Sequence, residues 1–142
     1  MAGDAQRLRP FSKGSDFLTG NELFAVSAGY LSQTLSDSDD IADFVPGWLN
    51  VLLAEALPTE NQLRTLEGLP ALETAPRFTK ETMDEEIPYS DLIVEVALPY
   101  GLASDMLRDD DNDYRCQDFR QKYILALNEI MQARPEPVQD CY

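Results

Sequence analysis

Residues 86–107, E-I-P-Y-S-D-L-I-V-E-V-A-L-P-Y-G-L-A-S-D-M-L, are the longest apolar segment of the chain, and the remainder reads as packing against it or leading to it. Tyr89, Ile93, Val96, Tyr100, Ala103 and Leu107 recur at steps of three or four and so share one helix face. Leu92, Pro99, Leu102 and Met106 make a second apolar line beside the first. A helix apolar along two lines is a central one, and the spacing predicts that it starts near Ser90. Pro99 is then a kink, and Gly101 a point where another backbone comes close.

The flanking segments predict helices that surround this one. Thr19 and Glu22 have the spacing of a capping box, and Leu23, Val26, Tyr30 and Leu31 follow at helical intervals, so a first helix is expected over about 20–35. The run Ser36, Asp37, Ser38, Asp39, Asp40 ends it and supplies a cap and first-turn acids to the next. Ile41, Phe44, Val45, Trp48, Leu52, Leu53 and Ala56 are the expected buried face of a second helix, which either kinks or begins at Pro46-Gly47 and is closed by Pro58. A short third helix over 59–67, with Leu63 and Leu66 inward, stops at Gly68. Residues 69–86 are the least regular, with Arg77-Phe78-Thr79-Lys80 as a plausible strand and Glu86-Ile87 as its short partner, projecting as a candidate contact surface. Phe119, Tyr123, Ala126, Leu127, Ile130 and Met131 are the inward stripe of the last helix, which Pro135 and Pro137 terminate.

The expected fold is therefore all-α: a bundle of four to five helices with a loop or small β-hairpin excursion around residues 69–87 and extended N- and C-terminal arms. The parts are an arm at 1–18, a helical body at 19–134 and a tail at 135–142. A chain of 142 residues with 44% hydrophobic content suits one core. The arm carries Arg7, Arg9 and Lys13 against Asp4 and Asp16, together with Leu8, Phe11, Phe17 and Leu18. It is either a plain terminus or a segment that orders on a partner.

Charge and residue inventory then restrict function. With 26 acidic and 11 basic residues the net charge is -15, which repels nucleic-acid phosphates and argues against gripping a duplex. There is no histidine, hence no usual general base, metal ligand or pH switch. Cys116 and Cys141 lack metal or redox spacing and read as reduced thiols in a cytosolic setting. Glu95 and Asp105 interrupt the best apolar window, so a soluble chain without a membrane span is expected.

No catalytic, cofactor or metal site is predicted. Asp109, Asp111 and Asp113 have calcium-loop spacing, but Tyr114 stands where the loop needs glycine and Arg120 where it needs glutamate. Asp84, Glu85 and Glu86 are adjacent loop acids that read as solvated, and Ser104 and Cys116 have no histidine to activate them. Phe11, Phe17, Trp48 and Phe78 are candidate interface anchors, Trp48 being otherwise a core residue of its stripe.

The order of motifs goes further. P-G-W-L-N-V-L-L-A-E-A-L at 46–57, N-x-L-R-x-L-E-G-L at 61–69, D-E-E-I-P-Y at 84–89, A-L-P-Y-G-L-A-S-D-M-L-R-D-D-D at 97–111 and a closing F-x-x-x-Y-x-x-A-L helix from Phe119 together resemble the phage head-tail connectors, also called adaptor or head-completion proteins. The resemblance spans roughly residues 21–131. It implies a non-enzymatic virion protein, made in the host cytoplasm, that forms a dodecameric ring between the portal and a tail or stopper protein and conducts DNA without sequence-specific binding. By position it casts Arg134, Pro135, Pro137, Val138 and Tyr142 as a portal-docking tail. Asp84, Glu85, Glu86, Asp109, Asp110, Asp111 and Asp113 would line the channel and repel the duplex. An acidic inhibitor or DNA mimic, a soluble tail-assembly chaperone and a carboxylate-only enzyme are the other classes compatible with the composition.

Overall fold

The first helix begins where its local chemistry says it should. In the computed structural model, which describes residues 18–31, 39–107 and 113–133, the Thr19 N–H donates to Glu22 Oε1 at 3.0 Å and the Glu22 N–H to Thr19 Oγ1 at 3.1 Å. Two of the helix's unpaired N–H groups are thereby satisfied. Helix α1, Gly20–Tyr30, ends sooner than the predicted 35, because Leu31 turns its N–H back onto the Ala28 and Gly29 carbonyls. Its buried side is Leu23, Phe24, Ser27 and Ala28, whereas Val26 and Tyr30 stand partly in solvent. Small residues let α1 come close to the central helix: Ser27 Oγ donates to its own Leu23 carbonyl at 3.0 Å and across to Pro99 at 3.2 Å.

The short helix α2, Asp39–Ala42, leads into α3, Val45–Leu66. Pro46 lies in the first turn of α3, where its missing N–H is of no consequence, so the helix starts at this proline and does not kink there. Pro58 does not close it. The predicted second and third helices are one 22-residue helix with Pro58 inside. Both Pro58 and Ala54, whose carbonyl loses its partner, are exposed, so water can meet the orphaned oxygen. Val45, Leu49, Leu52, Leu53 and Ala56 are buried, but Phe44, expected among them, is 59% exposed. Gly68 ends the helix at φ 77°, with Leu69 N–H on Arg64 O at 2.8 Å and Gly68 N–H on Thr65 O at 3.2 Å. This pair of bonds is the Schellman arrangement that an αL glycine permits.

Around the central helix the single α-helical period fails, for a covalent reason. Pro99 has no N–H to offer the carbonyl one turn back. The chain widens over Ile93–Ala97, where the Leu98 N–H reaches five residues back to Ile93 O, and Pro99 falls in the first turn of α4, Leu98–Met106. The wide turn rotates everything before it. Leu92 and Val96, expected on the apolar lines, are 54% and 42% exposed, while Val94, Ala97 and Leu98 are buried with Ile93. Tyr89 precedes the helix and is buried with its hydroxyl donating to Leu53 O. From Gly101 to Leu107 every residue is buried, and α4 packs on α1, α3 and the last helix α5, Asp113–Ala133. At Gly101 a Cβ would meet Leu52 Cδ2 at 2.8 Å and Tyr123 Cδ1 at 3.0 Å, so side chains and not a backbone occupy its space. On α5, Phe119, Tyr123, Ala126 and Ile130 are buried and Leu127 and Met131 half-buried, the stripe its spacing predicts.

Residues 69–87 are a loop, the first of the two expected forms, and not a hairpin. Arg77-Phe78-Thr79-Lys80 is not a strand: a single turn of 3₁₀ helix occupies Lys80–Thr82, and Glu86 bridges to Thr19 instead. The segment lies back along α3, held by amide side chains. Asn50 Oδ1 accepts from the Phe78 N–H at 2.7 Å and its Nδ2 donates to Phe78 O at 3.0 Å. Asn61 does the same to Leu72, at 2.8 and 3.0 Å. The two asparagines stand about 16 Å apart along α3 at ~1.5 Å per residue, so the run from Leu72 to Phe78, which bends at Glu73 and Thr74, is pinned to the helix at both ends. Arg64 adds bonds to the Pro70 and Pro88 carbonyls, and Glu60, buried, accepts from the Ser90 N–H at 2.7 Å.

Candidate functional site

Three helices converge on a cleft of about 290 Å³ lined by Trp48, Val51, Leu52 and Glu55 of α3, Ser104 and Asp105 of α4, and Cys116, Gln117 and Arg120 of α5. Its lip is apolar. Trp48 and Val51 lie at helical spacing on α3, and the ring of Phe44, the residue before the helix, stacks on Trp48 at 5.9 Å. Val51 is 57% exposed and Trp48 half-buried.

The floor is polar and internally bonded. Arg120 donates to Glu55 Oε2 at 3.0 Å, and Tyr123 OH donates to Glu55 Oε1 at 3.0 Å. The Arg120 guanidinium also lies 5.0 Å from the centre of the Tyr123 ring. Burial, and next the Glu55 carboxylate, push the Tyr123 phenol well above its ordinary range. Asp105 is buried at the cleft's base. Ser104 Oγ donates to Cys116 O at 3.0 Å and the Cys116 thiol to Ser104 O at 3.3 Å, joining the end of α4 to the first turns of α5. Hydroxyl and thiol are thus engaged with each other's backbone carbonyls. What the arrangement offers is recognition: stacked aromatic surface at the lip, and two carboxylates against one guanidinium below.

The residues singled out in the sequence fall in different places. Trp48 lines the cleft. Phe78 is 4% exposed and belongs to the core, so it is no interface anchor; its ring is drawn in as the Asn50 amide holds its backbone on α3. Asp84, Glu85 and Glu86 are exposed together beside the start of α1, where Asn21 N–H donates to Met83 O and Gly20 N–H to Glu85 O. Asp113 is the first residue of α5. Phe11, Phe17, Asp109, Asp110, Asp111, Arg134, Pro135, Pro137, Val138 and Tyr142 lie outside the described residues.

The cleft's charged set, Glu55, Asp105 and Arg120, escaped the sequence reading. One signal was there: Asp105 is an acid inside the longest apolar segment, and such a residue is retained where it has a partner. A second cluster was equally hidden. Tyr30, Tyr100 and Phe119 bring their ring centres within 5.3 to 6.3 Å of one another, with Arg115 and Lys122 lying 5.7 and 5.5 Å from the Phe119 centroid. Among the described residues no three His, Cys, Asp or Glu side chains converge as metal ligands, and no helix is long and apolar enough to cross a membrane. The chain matches no protein-family model, no curated protein and no solved structure.

Proposed function

We propose that the chain is a phage head-tail connector subunit, a non-enzymatic virion protein that assembles as a dodecameric ring on the portal and conducts DNA toward the tail. The observation that supports this reading best is an acidic helical bundle with exposed apolar side chains on unlike elements. Phe44 and Val51 stand at the start of α3, whereas Leu92, Val96, Ile124 and Leu125 lie before α4 and on α5. A ring subunit needs two different surfaces, because a rotationally closed ring is built from heterologous contacts. The motif order in residues 21–131 is what directs the reading to connectors in particular. Exposed acids such as Asp84, Glu85 and Glu86 would keep the duplex from adhering to the conduit.

The test is to mix the purified chain with the portal protein of the same genome and image the product by electron microscopy, beside a variant truncated after Met131. A ring on the portal that disappears on truncation is the expected result and assigns portal docking to the tail. Absence of any ring, with the chain monomeric and unattached, overturns the connector and favours a tail-assembly chaperone or an acidic inhibitor.

A further inference from the structure

We draw no further inference here: the strongest candidate, the surface strip of apolar side chains that runs from Val26 and Tyr30 of α1 over Tyr100 of α4 to Val96 and Leu92 before it, is an unpartnered face, and nothing in the structure shows what covers it.

Discussion

Asn50→Asp tests how residues 69–87 are held on α3. The substitution keeps the shape and keeps Oδ1, which goes on accepting from the Phe78 N–H, but it replaces Nδ2 with a second oxygen facing Phe78 O at the present 3.0 Å. One hydrogen bond is lost and a part-buried carbonyl is left opposite a carboxylate, a cost of about 2 kcal/mol, from ~1 for the bond and ~1 or more for the unanswered acceptor. In a domain of this size that lowers the melting temperature by roughly 6–10 °C. The diagnostic is pH. Protonated, the new side chain regains a donor where Nδ2 was, so the native state favours the neutral acid and raises the aspartate's pKa above its ordinary value. The lost stability is then fully restored below the unfolded value and disappears again as pH rises through the folded one. Thermal or urea melts of variant and parent, compared at each pH from 3.5 to 7, read the gap directly, and hydrogen exchange reads the loop. A gap independent of pH, or unaltered exchange over residues 72–83, would refute the proposed clip.

Two further perturbations probe the same framework. Glu60→Ala removes the buried carboxylate that accepts from Arg64 Nε and from the Ser90 N–H, both at 2.7 Å, and should cost about 3 kcal/mol, since breaking a buried pair leaves its partners unanswered. Equilibrium unfolding in urea measures it, and a loss under 1 kcal/mol would show that Arg64, through its bonds to the Pro70 and Pro88 carbonyls, holds the junction without Glu60. Burial raises the phenols of Tyr123 and Tyr89 above the ordinary value of 10.0, so their contribution is intact below pH 10 and falls as pH climbs toward the folded values. Parent protein should lose about 1.4 kcal/mol per pH unit above pH 10 from Tyr123, a component that Tyr123→Phe removes; identical alkaline slopes in the two proteins would refute this.

Much of the architecture was written locally. The capping box of Thr19 and Glu22, the start of α3 at Pro46, its end at Gly68 and the inward stripe of α5 all rest on interactions within a few residues, which spacing reveals. The all-α class follows from them. Residues whose state depends on distant partners were not legible. Pro58 stays helical because it faces solvent, Phe78 is buried because Asn50 holds its backbone, and Leu92 and Val96 turn outward because Pro99 is accommodated by a wide turn.

The candidate site divides in the same way. The sequence determined a central apolar helix, an acidic surface, a basic-apolar arm and an aromatic at position 48, since composition and period are properties of the chain itself. Only the tertiary structure brought Glu55, Asp105 and Arg120 to one cleft beside Trp48. Their meeting depends on how α3, α4 and α5 pack and in which register, and that is settled by side-chain volumes between helices, such as Leu52 and Tyr123 filling the space Gly101 leaves, which no pattern along the chain encodes.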